Sequence, residues 1–343
     1  MMSALASLVE NAGKLFVVHG KRSYYSCGAK ALLEAITSRF GLECIEFDDF
    51  TENPKKEDVD VGVDLFVKAK SDMIIAVGGG SVMDMAKLIR YYAGSRHQLL
   101  AIPTTAGTGA ESTQFAVCYI NGVKHSISDQ SILPDKVILY PAFTFDNSYY
   151  LTSCTGFDAL AQAIEAYWNI NATVESDEFA LCAIQQIFPL LNKDILTPTD
   201  RKILLKGAND AGQAINITRT TVPHALSYTL TSRYGYPHGH AVALTFPFFF
   251  KYNIMCDRAC YRGDDYKGYT SKMSNLRRLL CAGDDPFDAM KRYIRQIGLG
   301  YDKNRDFDDH IVADGINVER AKNSSIAIDE KVIKEAVKSI RDI

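Results

Sequence analysis

Three of the chain's seven histidines lie within RTTVPHALSYTLTSRYGYPHGHAVALTFP, residues 219–247. His224 opens an amphipathic segment, and His238 and His240 follow fourteen and sixteen residues later in a Pro-Gly loop. Two imidazoles and one carboxylate form the ligand set that suits Fe(II), and Zn(II) accepts the same set. Histidines at such positions are also often solvated or hydrogen-bonded in a core, so the spacing leaves both interpretations open.

A carboxylate for this site is offered by GFDALAQAIEAYW, residues 156–168, whose apolar residues recur at helical spacing. Asp158 and Gln162 lie four residues apart near the start of that helix, which places both side chains on one helical face. A core-facing helix has no packing reason to carry a carboxylate and an amide on one face. We therefore predict that Asp158 joins His224 and His238 in a metal site.

A phosphate-binding loop is predicted in VGGGSVMDMAK, residues 77–87, which follows an apolar strand and opens a helix. Glycines let the backbone approach a ligand, and a helix N-terminus presents N–H groups and a positive dipole end to an anion. Ser81 can cap this helix and donate to a phosphate oxygen. A tight strand–helix turn would also explain the glycines, and no GxGxxG fingerprint is present.

A second loop of this kind, AIPTTAGTGAES at residues 101–112, ends the next predicted strand. Two such loops on neighbouring strand ends favour a nucleotide site. Asp48, at the end of the second predicted strand, can accept hydrogen bonds from a ribose diol and favours NAD over NADP. An Asp that caps the loop before Asn53 and Pro54 is an equally good interpretation. The predicted cofactor-binding residues are Asp48, Gly79, Gly80, Ser81, Thr104, Thr105 and Thr108.

Short β-rich runs alternate with amphipathic stretches from residue 14 to about residue 140. This alternation predicts βα units and a parallel sheet, with ligands at the carboxyl ends of the strands. After about residue 150 the stretches are helix-like and convincing strands are absent. We predict a Rossmann-like α/β nucleotide-binding domain at 1–150, an all-helical metal- and substrate-binding domain at 151–343, and an active site in the cleft between them. The predicted strands are 14–20, 42–50, 72–80 and 97–105, and the helices between them are 27–40, 57–70 and 81–94.

Composition and charge indicate a globular enzyme and argue against nucleic-acid-binding and membrane proteins. The 343 residues carry a net charge of −3 and are 47% hydrophobic and 23% charged, as in an ordinary globular enzyme. No polybasic block is present, so nucleic acid and anionic membrane surfaces are not expected partners. The most apolar run, residues 241–250, is about half a bilayer span and contains Pro247. With no basic n-region at the N-terminus and eight cysteines without zinc-knuckle spacing, the prediction is a cytoplasmic protein with free thiols.

Four motifs occur in order over most of the chain: GGGSVMDMAK, PTTAGTGAES, GFDALAQAIEAY, and a histidine fourteen residues before that of PHG. Together they resemble the iron-containing (group III) alcohol dehydrogenase family, which is related to dehydroquinate synthase. The resemblance implies an NAD(P)-binding α/β domain, a helical domain holding Fe(II) or Zn(II), and often a homodimer. It implies metal ligation by Asp158, position 162, His224 and His238, and it aligns Asp84 and Lys124 with positions near the nicotinamide and the cofactor loop.

Two residues depart from the family pattern. Gln162 stands where the family commonly has a histidine ligand, and an amide oxygen is a weaker, neutral ligand. The site is therefore expected to bind metal more loosely, to replace the amide with water, or to have lost its metal. Tyr228 stands where many members have another histidine. Both departures resemble the branch that reduces phosphonoacetaldehyde to 2-hydroxyethylphosphonate.

The leading hypothesis is a metal-assisted, nicotinamide-dependent aldehyde reductase. The metal would polarise the carbonyl while the nicotinamide delivers hydride, and a proton would reach the oxygen through His240, Tyr228 or water. His240 is the first choice, because an imidazole titrates near neutral pH. A phosphonate tail would need donors, which Arg219 can supply as a fork, with hydroxyls from Thr220 and Thr221. A surface salt bridge is the alternative role of Arg219.

Three alternative functions stay open. The first is a reductase of another short polar aldehyde. The second is a dehydroquinate-synthase-like lyase, which is disfavoured because that reaction needs more basic residues around its substrate. The third is a non-catalytic nucleotide-binding relic without metal, which Gln162 favours.

Overall fold

The computed structural model describes residues 2–343, and its strands all lie in the first part of the chain. They form a five-stranded parallel sheet and a separate two-stranded hairpin. The strands are β1 (Lys14–His19), β2 (Glu43–Phe47), β3 (Met73–Gly78), β4 (Gln98–Pro103), β5 (Phe115–Ile120), β6 (Val123–Ser128) and β7 (Lys136–Val137).

The parallel sheet has the strand order β2-β1-β3-β4-β7. Its central strand β3 is buried at every position, because the helices of a parallel sheet cover both of its faces. Alternate residues of β1 enter two hydrophobic clusters: Phe16 and Val18 lie in one, Leu15 and Val17 in the other. The predicted Rossmann-like parallel sheet is confirmed.

The strand prediction lacked the short edge strand β7 and the hairpin β5–β6. The turn of the hairpin is Asn121-Gly122, and both residues have positive φ, 50° and 76°. This dipeptide is the strongest short-range hairpin signal, since a type I′ turn needs positive φ at both central positions. The signal was therefore present in the sequence.

The helices include five in the first part of the chain and ten beyond the sheet. The helices are α1 (Met2–Val9), α2 (Ser23–Ser26), α3 (Ala29–Phe40), α4 (Lys56–Ala69), α5 (Gly80–Tyr92), α6 (Tyr149–Tyr167), α7 (Val174–Leu191), α8 (Pro198–Thr218), α9 (Val222–Tyr234), α10 (His238–Ile254), α11 (Tyr266–Leu280), α12 (Pro286–Gln296), α13 (Asp309–Asp314), α14 (Val318–Ala321) and α15 (Glu330–Ser339). Short 3₁₀ turns lie at Ala110–Ser112, Gln130–Ile132, Pro141–Thr144, Lys303–Arg305 and Ile340–Asp342. The predicted helical character beyond residue 150 is confirmed.

The chain divides into two compact units. The first runs to Asn147 and also contains Thr197–Gly212, while the second contains Ser148–Leu196 and Gln213–Ile343. Most of α8, up to Gly212, belongs to the first unit. The predicted single boundary at residue 150 places all of this helix in the second domain. A Cβ added to Gly109 or Gly212 would collide with the backbone of the other residue, so only glycines allow α8 to approach the second glycine loop this closely.

Helix α6 is the buried centre of the second unit. Its residues from Gly156 to Tyr167 are all buried, and it packs on α7 and α10. A Cβ on Gly156 would overlap Leu191 of α7, so this glycine sets the distance between the two helices. Within the described residues, no helix combines the length and the hydropathy that crossing a bilayer requires.

Candidate metal centre and cofactor loops

Helix α6 supplies one side of the metal centre. Its N-cap is Ser148, whose side chain accepts a hydrogen bond from the Leu151 N–H. Asp158 and Gln162 are buried, with 2% and 5% of their surface exposed. The Gln162 amide Nε2 donates to Asp158 Oδ2 at 3.3 Å, as the four-residue spacing predicts for one helical face. Ligation of a metal by the Gln162 amide stays a prediction.

Helix α9 carries His224 in its first turn. The link from α8 to α9 is tight, and Arg219 adopts a positive φ of 67° in it. The Arg219 carbonyl accepts hydrogen bonds from Asn169 Nδ2 at 3.0 Å and Thr218 Oγ1 at 2.9 Å, which stabilise this backbone conformation. Pro223 in the first turn of α9 suits a helix start, because that position needs no N–H donor.

Helix α10 begins at His238, with Pro237 as its N-cap, so this histidine is the first helical residue and not part of a loop. The next residue, Gly239, lies against α6. A Cβ there would collide with the Cys154 carbonyl and stand 3.2 Å from Asp158 Cβ. The glycine therefore lets the start of α10 approach α6, and this approach brings His238 to Asp158.

The three predicted donors converge on one point. His224 Nε2 lies 3.1 Å and His238 Nε2 3.7 Å from Asp158 Oδ1. The three ligand atoms all lie within 4.8 Å of one another. Ligands held about 2.0–2.2 Å from one cation stand roughly 3.0–3.6 Å apart, so this donor set fits a divalent transition metal.

A second buried carboxylate hydrogen-bonds one of these imidazoles. Glu165 is fully buried, and its Oε1 hydrogen-bonds His224 Nδ1. Burial alone would lower the pKa of His224, but the carboxylates of Glu165 and Asp158 outweigh it and raise the pKa to about 9. A positive charge, proton or metal, is therefore favoured between His224 Nε2 and Asp158. Sequence reasoning missed Glu165, although its place seven residues after Asp158 puts it on the same face of α6.

Tyr228 and His240, the predicted proton donors, occupy different places. The Tyr228 ring stacks on His238 with centroids 6.0 Å apart, and burial raises the pKa of its hydroxyl. His240 is buried; its Nδ1 pairs with the Tyr150 hydroxyl and its Nε2 with the Gly300 carbonyl, each at 2.9 Å. Burial lowers the pKa of His240. The geometry therefore places Tyr228 against a metal ligand and gives His240 two protein partners.

The predicted substrate residues lie between α8 and α9. The Arg219 side chain is exposed, whereas Thr220 and Thr221 are buried. Thr221 Oγ1 hydrogen-bonds Glu165 Oε2 at 2.8 Å and accepts from Trp168 Nε1 at 3.1 Å. Substrate contact by these three residues stays a prediction.

A cation that the sequence analysis missed lies beside Tyr228. Arg320 of α14 is half-buried and its guanidinium hydrogen-bonds the Tyr228 side chain, which lowers the tyrosine pKa against the larger effect of burial. It also donates to Thr220 Oγ1 at 3.4 Å. No motif marks Arg320, because it lies far along the chain in a helix of four residues.

The two glycine loops of the first unit meet at the ends of neighbouring strands, since β3 pairs with β4. A Cβ on Gly80 would stand 3.0 Å from Thr108 Cγ2, and one on Gly79 would stand 3.4 Å from Thr105 Oγ1. The contact is therefore tight at Gly80, whereas a Cβ on Gly79 would make an ordinary contact. This shape and the start of α5 fit the predicted phosphate cradle.

One detail of the first loop differs from the prediction. Ser81 does not cap α5, because the helix already begins at Gly80 with Gly79 as its N-cap. Ser81 Oγ instead accepts the Asn53 N–H at 3.3 Å. Thr104 Oγ1, in the second loop, is buried and has no hydrogen-bond partner within residues 2–343, which leaves it available to a ligand.

The remaining predicted cofactor residues lie after β2, in α5 and on β6. Asp48 directly follows β2. Asp84 accepts the Val117 N–H at 3.1 Å, and burial raises its pKa to about 6, against the opposing charges of Lys87 and Lys124. Lys124 is exposed on β6. Contacts of these residues with a cofactor stay predictions.

Similarity to known proteins agrees with this architecture. Residues 1–141 match the family model "Iron-containing alcohol dehydrogenase", and residues 152–299 match "Fe-containing alcohol dehydrogenase family, C-terminal". The chain is 32% identical over 251 residues to the probable alcohol dehydrogenase EutG of Escherichia coli, covering 67% of this chain and 61% of EutG. It is 31% identical over 214 residues to a phosphonoacetaldehyde reductase of Streptomyces viridochromogenes, covering 54% of each.

The chain thus spans about three fifths of the length of EutG and of the similar Geobacillus thermodenitrificans long-chain-alcohol dehydrogenase 1, of which 62% is covered. Among solved structures, an iron-containing alcohol dehydrogenase of Thermotoga maritima superposes with a TM-score of 0.83 at 25% identity. That similarity covers 100% of this chain and 96% of the other. The chain belongs to the iron-containing alcohol dehydrogenase family.

Proposed function

We propose that the protein reduces a short aldehyde to its alcohol with NAD(P)H in a metal-dependent reaction. The observation that carries this proposal is the convergence of Asp158, His224 and His238 on one point. When bound there, Fe(II) or Zn(II) supplies Lewis-acid polarisation of the carbonyl oxygen, and the reduced nicotinamide supplies the hydride. Family membership supports the same chemistry.

The chain's own residues have distinct tasks in this reaction. Asp158, His224 and His238 hold the cation. Tyr228, stacked on His238, keeps its proton at neutral pH because burial raises its pKa. Its hydroxyl is therefore the first candidate to donate a proton to the product oxygen. His240 remains a second candidate through its bond to the Tyr150 hydroxyl.

The favoured substrate is phosphonoacetaldehyde. The support is the similarity to the Streptomyces phosphonoacetaldehyde reductase and the presence of Gln162 and Tyr228 in place of histidines. A reductase of another small polar aldehyde is the alternative. Asp48 directly after β2 favours NAD over NADP, because its carboxylate repels a 2′-phosphate. We propose that the protein is cytoplasmic and forms a homodimer. Light scattering tests the dimer.

The proposal is tested by following NADH absorbance with phosphonoacetaldehyde in the presence of Fe(II), Zn(II) or EDTA. We expect turnover with metal and none with EDTA. The control substrate is 3,3-dimethylbutanal, which replaces the phosphonate by a neutral group of similar shape. A protein that binds NADH yet reduces no aldehyde with either metal would instead be the nucleotide-binding relic that Gln162 favours.

The anion-binding group is tested with Arg219→Ala and Arg320→Ala as a matched pair. Arg320 is half-buried beside Tyr228, whereas Arg219 is exposed. The two variants therefore show whether the predicted Arg219 or the more buried Arg320 binds the phosphonate. Loss of a charged hydrogen bond costs about 1.5–3 kcal/mol, or roughly 10- to 100-fold in KM. The affected variant should show this rise for phosphonoacetaldehyde and not for 3,3-dimethylbutanal. Equal effects on both substrates would exclude an anion fork.

A further inference from the structure

Glu165 is a buried carboxylate to which neither the motifs nor the metal ligands assign a role. It lies on α6 seven residues after Asp158, two helical turns along the same face, and is 0% exposed. Burying a carboxylate is costly unless its oxygens are hydrogen-bonded. The partners of those oxygens therefore indicate what the residue does.

The two oxygens of Glu165 have different partners. Oε1 hydrogen-bonds His224 Nδ1. Oε2 accepts from the Thr221 N–H and from Thr221 Oγ1, the latter at 2.8 Å. Thr221 is the N-cap of α9, the helix that carries His224. One carboxylate thus fixes both the start of the helix and the ring of the ligand on it.

We propose that Glu165 is a positioning residue for the metal: it holds the Nδ1–H of His224 so that Nε2 presents its lone pair to the cation. The inference rests on the proposed metal-dependent function. Metal-bound histidines commonly donate their other N–H to a carboxylate, which fixes the tautomer and strengthens the donor. Here α6 supplies the metal ligand Asp158 and the group that orients the ligand His224.

The competing role of Glu165 is only to hold the start of α9. The structure separates the two roles, because the two oxygens serve different partners. Thr221→Val removes the hydroxyl that contacts Oε2 and Trp168 Nε1 at nearly constant volume. It leaves the bond between Oε1 and His224 in place. Glu165→Gln removes the charge, and its amide can offer an oxygen to one partner only, facing the other with an NH₂ group.

The experiment measures Co(II) binding to the full-length metal-free protein and the visible absorption of the Co(II) form. Glu165→Gln should raise the Co(II) dissociation constant about 10- to 100-fold and change the Co(II) absorption bands. NADH binding should not change in this variant. Thr221→Val should lower the melting temperature by several degrees yet keep the dissociation constant within about threefold of wild type.

A third variant covers a failure of Glu165→Gln to fold. Glu165→Asp keeps the negative charge but draws the carboxylate back by one methylene, so it cannot reach both partners. Its Co(II) dissociation constant should lie between those of wild type and Glu165→Gln. If Glu165→Gln does not fold, the dissociation constant of Glu165→Asp should still exceed that of wild type.

The outcomes distinguish this inference from the proposed function. Wild-type affinity and an unchanged Co(II) spectrum in both Glu165 variants would overturn the positioning role while leaving the metal centre intact. Equal losses of affinity in Glu165→Gln and Thr221→Val would assign Glu165 to the helix start alone. A wild-type protein that binds no Co(II), Fe(II) or Zn(II) would overturn the proposed function and this inference together.

Discussion

The cofactor loops and the metal centre are built by opposite means. The loops present backbone at strand ends, and Gly80 leaves little room for a side chain beside Thr108. The metal centre presents polar side chains from three helices, with Asp158 of α6 and His224 of α9 buried and His238 of α10 partly exposed. A backbone site depends on local conformation, whereas a side-chain site depends on how helices pack. Variants of the two regions should therefore fail in different ways.

The largest effect is expected for His238→Ala. Loss of one of three protein ligands should lower kcat/KM for an aldehyde by more than the roughly 10- to 100-fold typical of outer partners of a metal site. NADH binding, measured by fluorescence titration, should persist because the loops lie in the other unit. Full activity in this variant would remove the metal assignment.

Two glycine substitutions sharpen the comparison. Gly239→Ala places a Cβ against the Cys154 carbonyl of α6, which is backbone within a helix and cannot turn away. We expect a loss of about 1–3 kcal/mol or more in unfolding free energy and weaker metal binding. Urea denaturation and Co(II) titration measure the two effects.

The matched change in the cofactor region is Gly80→Ala. Its Cβ would meet the Thr108 side chain at 3.0 Å, and a side chain can shift by a few tenths of an ångström. The expected result is a smaller stability loss and a raised KM for NADH, with Co(II) affinity unchanged. If Gly80→Ala weakens Co(II) binding as much as Gly239→Ala does, the glycine loops and the metal centre do not respond independently to mutation.

The sequence allowed the strands and helix around the two glycine loops to be predicted, because their determinants are contiguous. The helix α5 was predicted at 81–94 and lies at Gly80–Tyr92. The one-residue shift removes Ser81 from the N-cap position. The hairpin at Asn121-Gly122 was missed although its turn signal is local.

The convergence of Asp158, His224 and His238 could be predicted from spacing and family resemblance, but the residues that surround this group could not. Glu165 contacts a residue 59 positions away, and Arg320 reaches Thr220 across 100 positions. Only the packing of α9 and α14 brings these groups together, and no local pattern encodes it. The position of His238 as the first residue of α10 likewise follows from the close approach of Gly239 to α6.

A last expected effect, on the pH dependence of stability alone, comes from a buried charge in the cofactor region. Lys87 of α5 is 0% exposed and donates to the Phe115 carbonyl at 2.8 Å and to Thr113 Oγ1 at 3.2 Å. Burial lowers its pKa to about 8, against the opposing effect of Asp84 and Glu111. The unfolded chain, with an ordinary lysine pKa near 10.5, therefore binds more protons than the folded chain between about pH 8 and 10.5.

Because stability rises with pH wherever the unfolded state binds more protons, Lys87 should make the protein more stable from pH 8 to 10.5, by about 2–3 kcal/mol. Other groups titrate in this range, so the quantity to measure is the difference in unfolding free energy between wild type and Lys87→Met. That difference should shift in favour of wild type as pH rises. Below about pH 8 it should be nearly constant, since Lys87 is protonated in both states there. A difference that is flat across pH 8–10.5 would mean that Lys87 keeps its proton in the folded protein and that its hydrogen bonds to Phe115 and Thr113 compensate for burial.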